Sequence, residues 1–190
     1  MTQPTLINPY FDLFELLQNH PGEYQLQLRK KLIWAYSWAI PTSEAIFKIK
    51  EYAPLIELGA GTGYWAWLLG QAGARIRCYD HEPHSPPHWV EIMPGEPSRL
   101  KHDSDPTLLL CWPPLNTGMA TQSLNHFSGS HLIYIGEWRG RTGDPEFHDQ
   151  LENHWHLEHQ ISIPCWPGFF DQVYFFKLKK NDERSSNHGH

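Results

Sequence analysis

The 190-residue sequence is short of cysteine, has no long apolar run and carries no dense cluster of positive charge. Each shortage excludes a class of protein. Cys78, Cys111 and Cys165 stand far apart without a CxxC pair, so neither a disulfide framework nor a thiolate zinc site is suggested. A reducing, cytoplasmic compartment is expected. No apolar stretch approaches the roughly 18 residues of a membrane span, and the N-terminus lacks the basic start and apolar run of a signal peptide. A soluble protein without a membrane partner follows. With 15 Lys and Arg against 21 Asp and Glu, the net charge of -6 offers no broad attraction to a polyanion, so nucleic acid is not an expected partner.

What is present suits one well-filled domain: 40% hydrophobic residues, with 9 Trp, 8 Tyr and 9 Phe, supply a full core. The 13 histidines are the compositional oddity. His154 and His156 would share one face of a strand with His159 on the other, so a three-ligand site is not implied and no metal is expected.

The first third reads as helical. Asn8 is a cap with Pro9 at the first helical position, and Pro21-Gly22 ends that helix. A second helix is expected from Glu23 to Ile40, with Arg29, Lys30 and Lys31 on a solvated face, until Pro41 stops it; a third starts at Thr42 or Ser43. From Pro54 short apolar runs alternate with helices. Strands are expected at 54–58, 75–79, 89–92, 107–111 and 131–135, with helices at 64–72 and 117–125 and another opened by Asp144-Pro145. The last two strands, 156–163 and 173–178, are joined by Pro164 to Gly168, too short for a crossover helix. The pattern predicts a doubly wound, seven-stranded, mainly parallel α/β sheet with an antiparallel last strand. A helical extension over 1–52 precedes the core at 53–179, and a disordered tail over 180–190 follows. The ligand crevice is expected at the carboxyl ends of strands one and four.

Glu57-Leu58-Gly59-Ala60-Gly61-Thr62-Gly63-Tyr64 falls between a predicted strand and a predicted helix, where glycines let the backbone turn tightly beside a ligand. The spacing is GxGxG. A dinucleotide fingerprint would need a small residue where Tyr64 stands, and no Gly-Lys-Ser/Thr follows to make a phosphate loop.

This E-x-G-x-G-x-G signature resembles motif I of the class I S-adenosylmethionine-dependent methyltransferases, over roughly Pro54 to Lys179. Trp38-Ala39-Ile40-Pro41, Gly61 to Trp65, Leu108 to Pro114 and Ile135-Gly136-Glu137 together resemble an uncharacterised branch that brings no substrate with it. The resemblance implies S-adenosylmethionine as cofactor, S-adenosylhomocysteine as product and a small-molecule substrate. It places cofactor contacts at Gly59, Ala60, Gly61, Gly63 and Tyr64, and gives Asp80 the ribose hydroxyls. Glu57 either orients backbone amides or meets the cofactor's amino group. His81 is a candidate for touching the adenosine and Glu96 for the adenine amine, while Cys111 ends the fourth strand beside the site.

The resemblance departs at the fourth strand. Where many amino-group methyltransferases carry Asn/Asp-Pro-Pro-aromatic, this chain has Trp112-Pro113-Pro114-Leu115, so transfer to a base or amide nitrogen is not implied. Trp112 stacks on adenine or walls the transfer point, and Pro113 lines the acceptor side. Glu137 is the acid/base candidate, or else a cap of the Gly136–Gly143 loop. Tyr36, Trp38 and Pro41 are candidates for a substrate-binding lid. A cofactor-binding or degenerate partner module without transfer activity is the alternative, and a transferase using a related nucleoside, such as an aminopropyl donor, is a third reading.

Overall fold

Side chains on alternate positions of the central strands enter two separate apolar clusters, and this alternation fixes a layered architecture. The computed structural model describes residues 5–83, 88–102 and 106–180. Beyond Lys180, the expected tail lies outside them. Leu55, Leu109, Ile133 and Ile135 point to one face, where they meet α1 (Pro9–Leu17), α3 (Ser43–Lys50) and α4 (Tyr64–Gln71). Ile56, Leu108, Leu110 and Leu132 point to the other, against α5 (Met119–His126) and α6 (Pro145–His154).

The strands are β1 (Leu55–Leu58), β2 (Ile76–Asp80), β3 (Met93–Pro94), β4 (Thr107–Cys111), β5 (His131–Gly136), β6 (Trp155–Ser162) and β7 (Gln172–Leu178). Their order is β3-β2-β1-β4-β5-β7-β6. Strands β1 to β5 run parallel, and β7 runs antiparallel to both β5 and β6. This is the sheet expected from the sequence. The chain leaves β1 in one direction and returns to β4 on its other side, so a crevice opens between their carboxyl ends. Among the described residues, no helix is long and apolar enough to cross a membrane.

Two expectations need correcting. The second helix, α2 (Gly22–Ala35), stops five residues short of Ile40 because its last carbonyls are taken by tertiary partners. Trp89 Nε1 donates to Ala35 O at 2.7 Å and the Thr62 hydroxyl to Tyr36 O, holding Tyr36 outside helical geometry. Residues 89–92 form no strand: Trp89 N bonds Thr62 O at 2.9 Å, and Val90 and Ile92 pack under Gly63, leaving only Met93–Pro94 to pair with β2.

Asn8 ties the helical extension to the core. Its Oδ1 accepts Phe11 N at 3.2 Å as the α1 cap and the Tyr64 hydroxyl at 2.7 Å, while its Nδ2 donates to Pro41 O at 2.9 Å. All three bonds are largely shielded from water, so Asn8→Ala is expected to cost about 1–3 kcal/mol. Asn8→Asp, which keeps the acceptor and loses the donor, should fall between. Urea unfolding at neutral pH checks both; an unchanged midpoint for Asn8→Ala would show the tie to be dispensable.

Candidate functional site

The turn from β1 to α4 is built on three glycines with left-handed backbones: Gly59 (φ 75°), Gly61 (φ 58°) and Gly63 (φ 76°). Consecutive loop amides bind the end of β2. Gly59 N and Ala60 N reach Tyr79 O at 2.8 and 3.1 Å, and Gly61 N reaches Asp80 Oδ2 at 2.9 Å. The glycines serve different ends. A Cβ on Gly63 would stand 2.6 Å from Val90 Cγ2, so packing demands glycine there, whereas one on Gly61 would meet nothing within 4 Å. Gly61 therefore leaves ligand space open.

That space is a cavity of about 520 Å³ over the carboxyl ends of β1, β2 and β4. Gly59, Ala60, Gly61 and Tyr64 line it from the loop, and Glu57, Asp80, Cys111 and Trp112 from the strand ends. His81 and Glu96 close the end near β3, exposed and paired through Nδ1 and Oε1 at 3.0 Å. Tyr36 and Trp38 cover the site from the segment after α2. Tyr36 is held by stacking on Tyr10 and Trp89, with centroids 5.0 and 5.6 Å apart.

Four expected site residues stand elsewhere. Gly63 supports the loop from behind, the Pro41 carbonyl is taken by Asn8 and the Pro113 carbonyl by Gly143 N. Glu137 is bound by Arg141 Nη1 at 2.6 Å and by the amides of Arg141 and Phe170 at 3.1 and 3.0 Å. It tethers two loops instead of facing the cavity. Sequence reasoning missed Ser37, Thr62, Thr117, Met119 and Gln122, which also line the space. Thr62 lies inside the glycine motif as one of its variable positions, the other four carry no motif, and only the expected crevice beyond β4 pointed toward the last three.

Glu57, Asp171 and Arg29 are buried ionisable groups that shape the electrostatics. Glu57 is 1% exposed and forms no ion pair among the described residues; its Oε2 accepts the Cys78 thiol at 3.9 Å. Burial, reinforced by Asp80, pushes its carboxyl up to about 8. Asp171 accepts Trp112 Nε1 at 2.7 Å, and burial pushes it up to about 7. Arg29, expected on a solvated face, is only 7% exposed, with its guanidinium carbon 3.8 Å from the Phe169 centroid. Lys30 and Lys31, its neighbours on α2, stay exposed. Helical spacing located α2 but not the loops that cover Arg29. Among the described residues, no group of three His, Cys, Asp or Glu is placed to hold a metal.

No protein-family model matches the chain, and no curated protein matches it. Solved structures do. The 1,6-didemethyltoxoflavin-N1-methyltransferase of Burkholderia thailandensis, bound to 1,6-didemethyltoxoflavin and S-adenosylhomocysteine, is similar at a TM-score of 0.50 and 17% identity, over 84% of this chain and 91% of that one. A Streptococcus mutans protein assigned to the S-adenosylmethionine-dependent methyltransferases is similar at 0.50 and 11%, over 73% of this chain and 49% of that one. Streptococcus pneumoniae Sp1610, assigned as a tRNA (m1A22) methyltransferase, matches at 0.47 and 9%, over 76% and 74%. The first two give the fold a name: the Rossmann-like methyltransferase fold.

Glu57 makes stability depend on pH. Its ordinary value is near 4.5 and its folded value about 8, so between them the folded chain holds the extra proton and stability falls as pH rises. Glu57→Gln removes that fall. The variant's stability relative to the parent should climb steadily from pH 4.5 to 8 in urea unfolding, and a constant difference would mean that Glu57 ionises freely in the folded chain.

Proposed function

We propose that the protein is an S-adenosylmethionine-dependent methyltransferase acting on a small-molecule acceptor. The observation that carries this reading is the loop itself: three left-handed glycines, the middle one bonded to Asp80, on the wall of a ligand-sized cavity. The residues fit the cofactor. The open space at Gly61 admits a ligand against bare backbone, and Asp80, also accepting Glu82 N at 3.1 Å, has carboxylate lone pairs left for two ribose hydroxyls. His81 and Glu96 offer polar contacts at the adenine end. Glu57, a buried carboxyl without a cation among the described residues, suits the cofactor's ammonium, which would favour its ionised form.

Bound S-adenosylmethionine supplies a methyl already activated on a sulfonium. The chain's contribution is then alignment and the exclusion of water. Trp112 and Pro114 wall the space beyond β4, and Tyr36 and Trp38 cover it. With Glu137 committed to Arg141, the residues just after β4 present Trp112 and Pro114 to the cavity and no base, so an acceptor would bring its own lone pair. The same two features favour a second reading, a partner module that binds the cofactor without transfer.

Calorimetric titration with S-adenosylhomocysteine, using NAD as comparator, tests the reading. Micromolar binding of about -8 kcal/mol is expected for the first ligand alone. Asp80→Ala should weaken it by about tenfold or more, the worth of a charged hydrogen-bonding partner. No binding to folded protein would overturn the proposal. Formation of S-adenosylhomocysteine with small-molecule fractions of a cell extract separates the enzyme from the partner module, and turnover confined to RNA fractions would overturn the small acceptor.

A further inference from the structure

We propose that Arg29 is the anion-recognising residue of the acceptor site, and that the acceptor is a planar aromatic molecule bearing a carboxylate or similar oxyanion, laid against the Trp38–Trp112 pair. This rests on the methyltransferase reading and adds a substrate class to it.

Unmet bonding at Arg29 carries the argument. Its guanidinium stacks on Phe169 at 3.8 Å and lies 5.4 and 5.7 Å from the ring centres of Trp38 and Trp112. Stacking satisfies the faces of a guanidinium but not the N–H groups along its edge, which need acceptors in its plane. Two of those nitrogens, Nε and Nη2, are buried with no hydrogen-bond partner among the described residues. A buried cation with bare donors is costly, and an oxyanion is the ligand that repays the cost with two parallel bonds.

The carboxylates whose charges act on Arg29 are engaged elsewhere. Asp171 accepts the Trp112 indole N–H at 2.7 Å, and Glu137 holds Arg141 at 2.6 Å. The position of Arg29 points to the acceptor and not the cofactor. Its ring neighbours come from the end of β4, from the β6–β7 connection and from the segment after α2, whereas the cofactor features sit on the glycine loop and β2. Trp38 and Trp112 both line the cavity and stack at 4.9 Å with planes 17° apart, a flat wall for a flat ligand. Arg29 is not itself among the residues that line the cavity, so the anion reaches it past the edge of Trp38, which is 44% exposed.

The test uses 2-naphthoate and its neutral isostere 2-naphthamide, titrated with and without saturating S-adenosylhomocysteine. The acid is expected to bind at least about tenfold tighter than the amide, the difference one charged bidentate contact makes. Arg29→Met should erase that preference and leave the amide within about twofold, while Arg29→Lys, which keeps the charge and loses the fork, restores part of it. Equal affinities, or a preference that survives Arg29→Met, would overturn the proposal. So would a tenfold loss of S-adenosylhomocysteine binding in Arg29→Met, which would assign Arg29 to the cofactor's own carboxylate. If Arg29→Met does not fold, Arg29→Lys decides, and a preference undiminished in that variant would overturn the proposal. Should the acid be preferred while S-adenosylhomocysteine fails to bind, the anion site stands and the cofactor reading falls.

Discussion

The site depends on the capture of the glycine loop by the end of β2. Gly59, Ala60 and Gly61 give their amide hydrogens in succession to Tyr79 O and the Asp80 carboxylate. Left-handed backbone at Gly59 and Gly61, on either side of Ala60, turns the three successive donors toward one neighbouring strand, which makes the glycines and the strand pairing a single requirement. Asp80 thereby has two duties, fixing the loop with one oxygen and facing the cavity at the strand end. The parallel register of Leu58 with Tyr79 places both partners side by side.

Around that point the chain is tied together by aromatic rings. Tyr36 sits among Tyr10, Tyr64 and Trp89, and Tyr64 belongs to the helix that leaves the loop. The helices before the sheet therefore share a core with the glycine turn, and both the cover of the cavity and its floor are anchored through Tyr64 and Asn8. Packing of rings that large contributes much of the burial energy available to a chain of this size.

Much of this was legible in sequence because its signals are local. Asn8-Pro9 and Asp144-Pro145 announced their helices, Thr107–Cys111 read as a strand buried on both faces, and the glycine spacing with Asp80 downstream located the crevice. What escaped was decided between segments distant in sequence. The end of α2 depends on Trp89 and Thr62, the burial of Arg29 on Phe169, and the commitment of Glu137 on Arg141 and Phe170. No periodicity in α2 reports what a loop more than a hundred residues later will lay over it.

Trp112 has a left-handed backbone, with φ at 53°, at a point where a chain selected for stability alone would place glycine or asparagine. For a residue with a Cβ that conformation costs about 1–2 kcal/mol. The strain aims the indole into the crevice, where Trp38 stacks on it and Asp171 clasps its nitrogen. Position 112 is thus where folding and ligand geometry compete for one side chain. Glycine at this position would relieve the strain and in the same step strip the cavity of a wall and the buried Asp171 carboxyl of its partner.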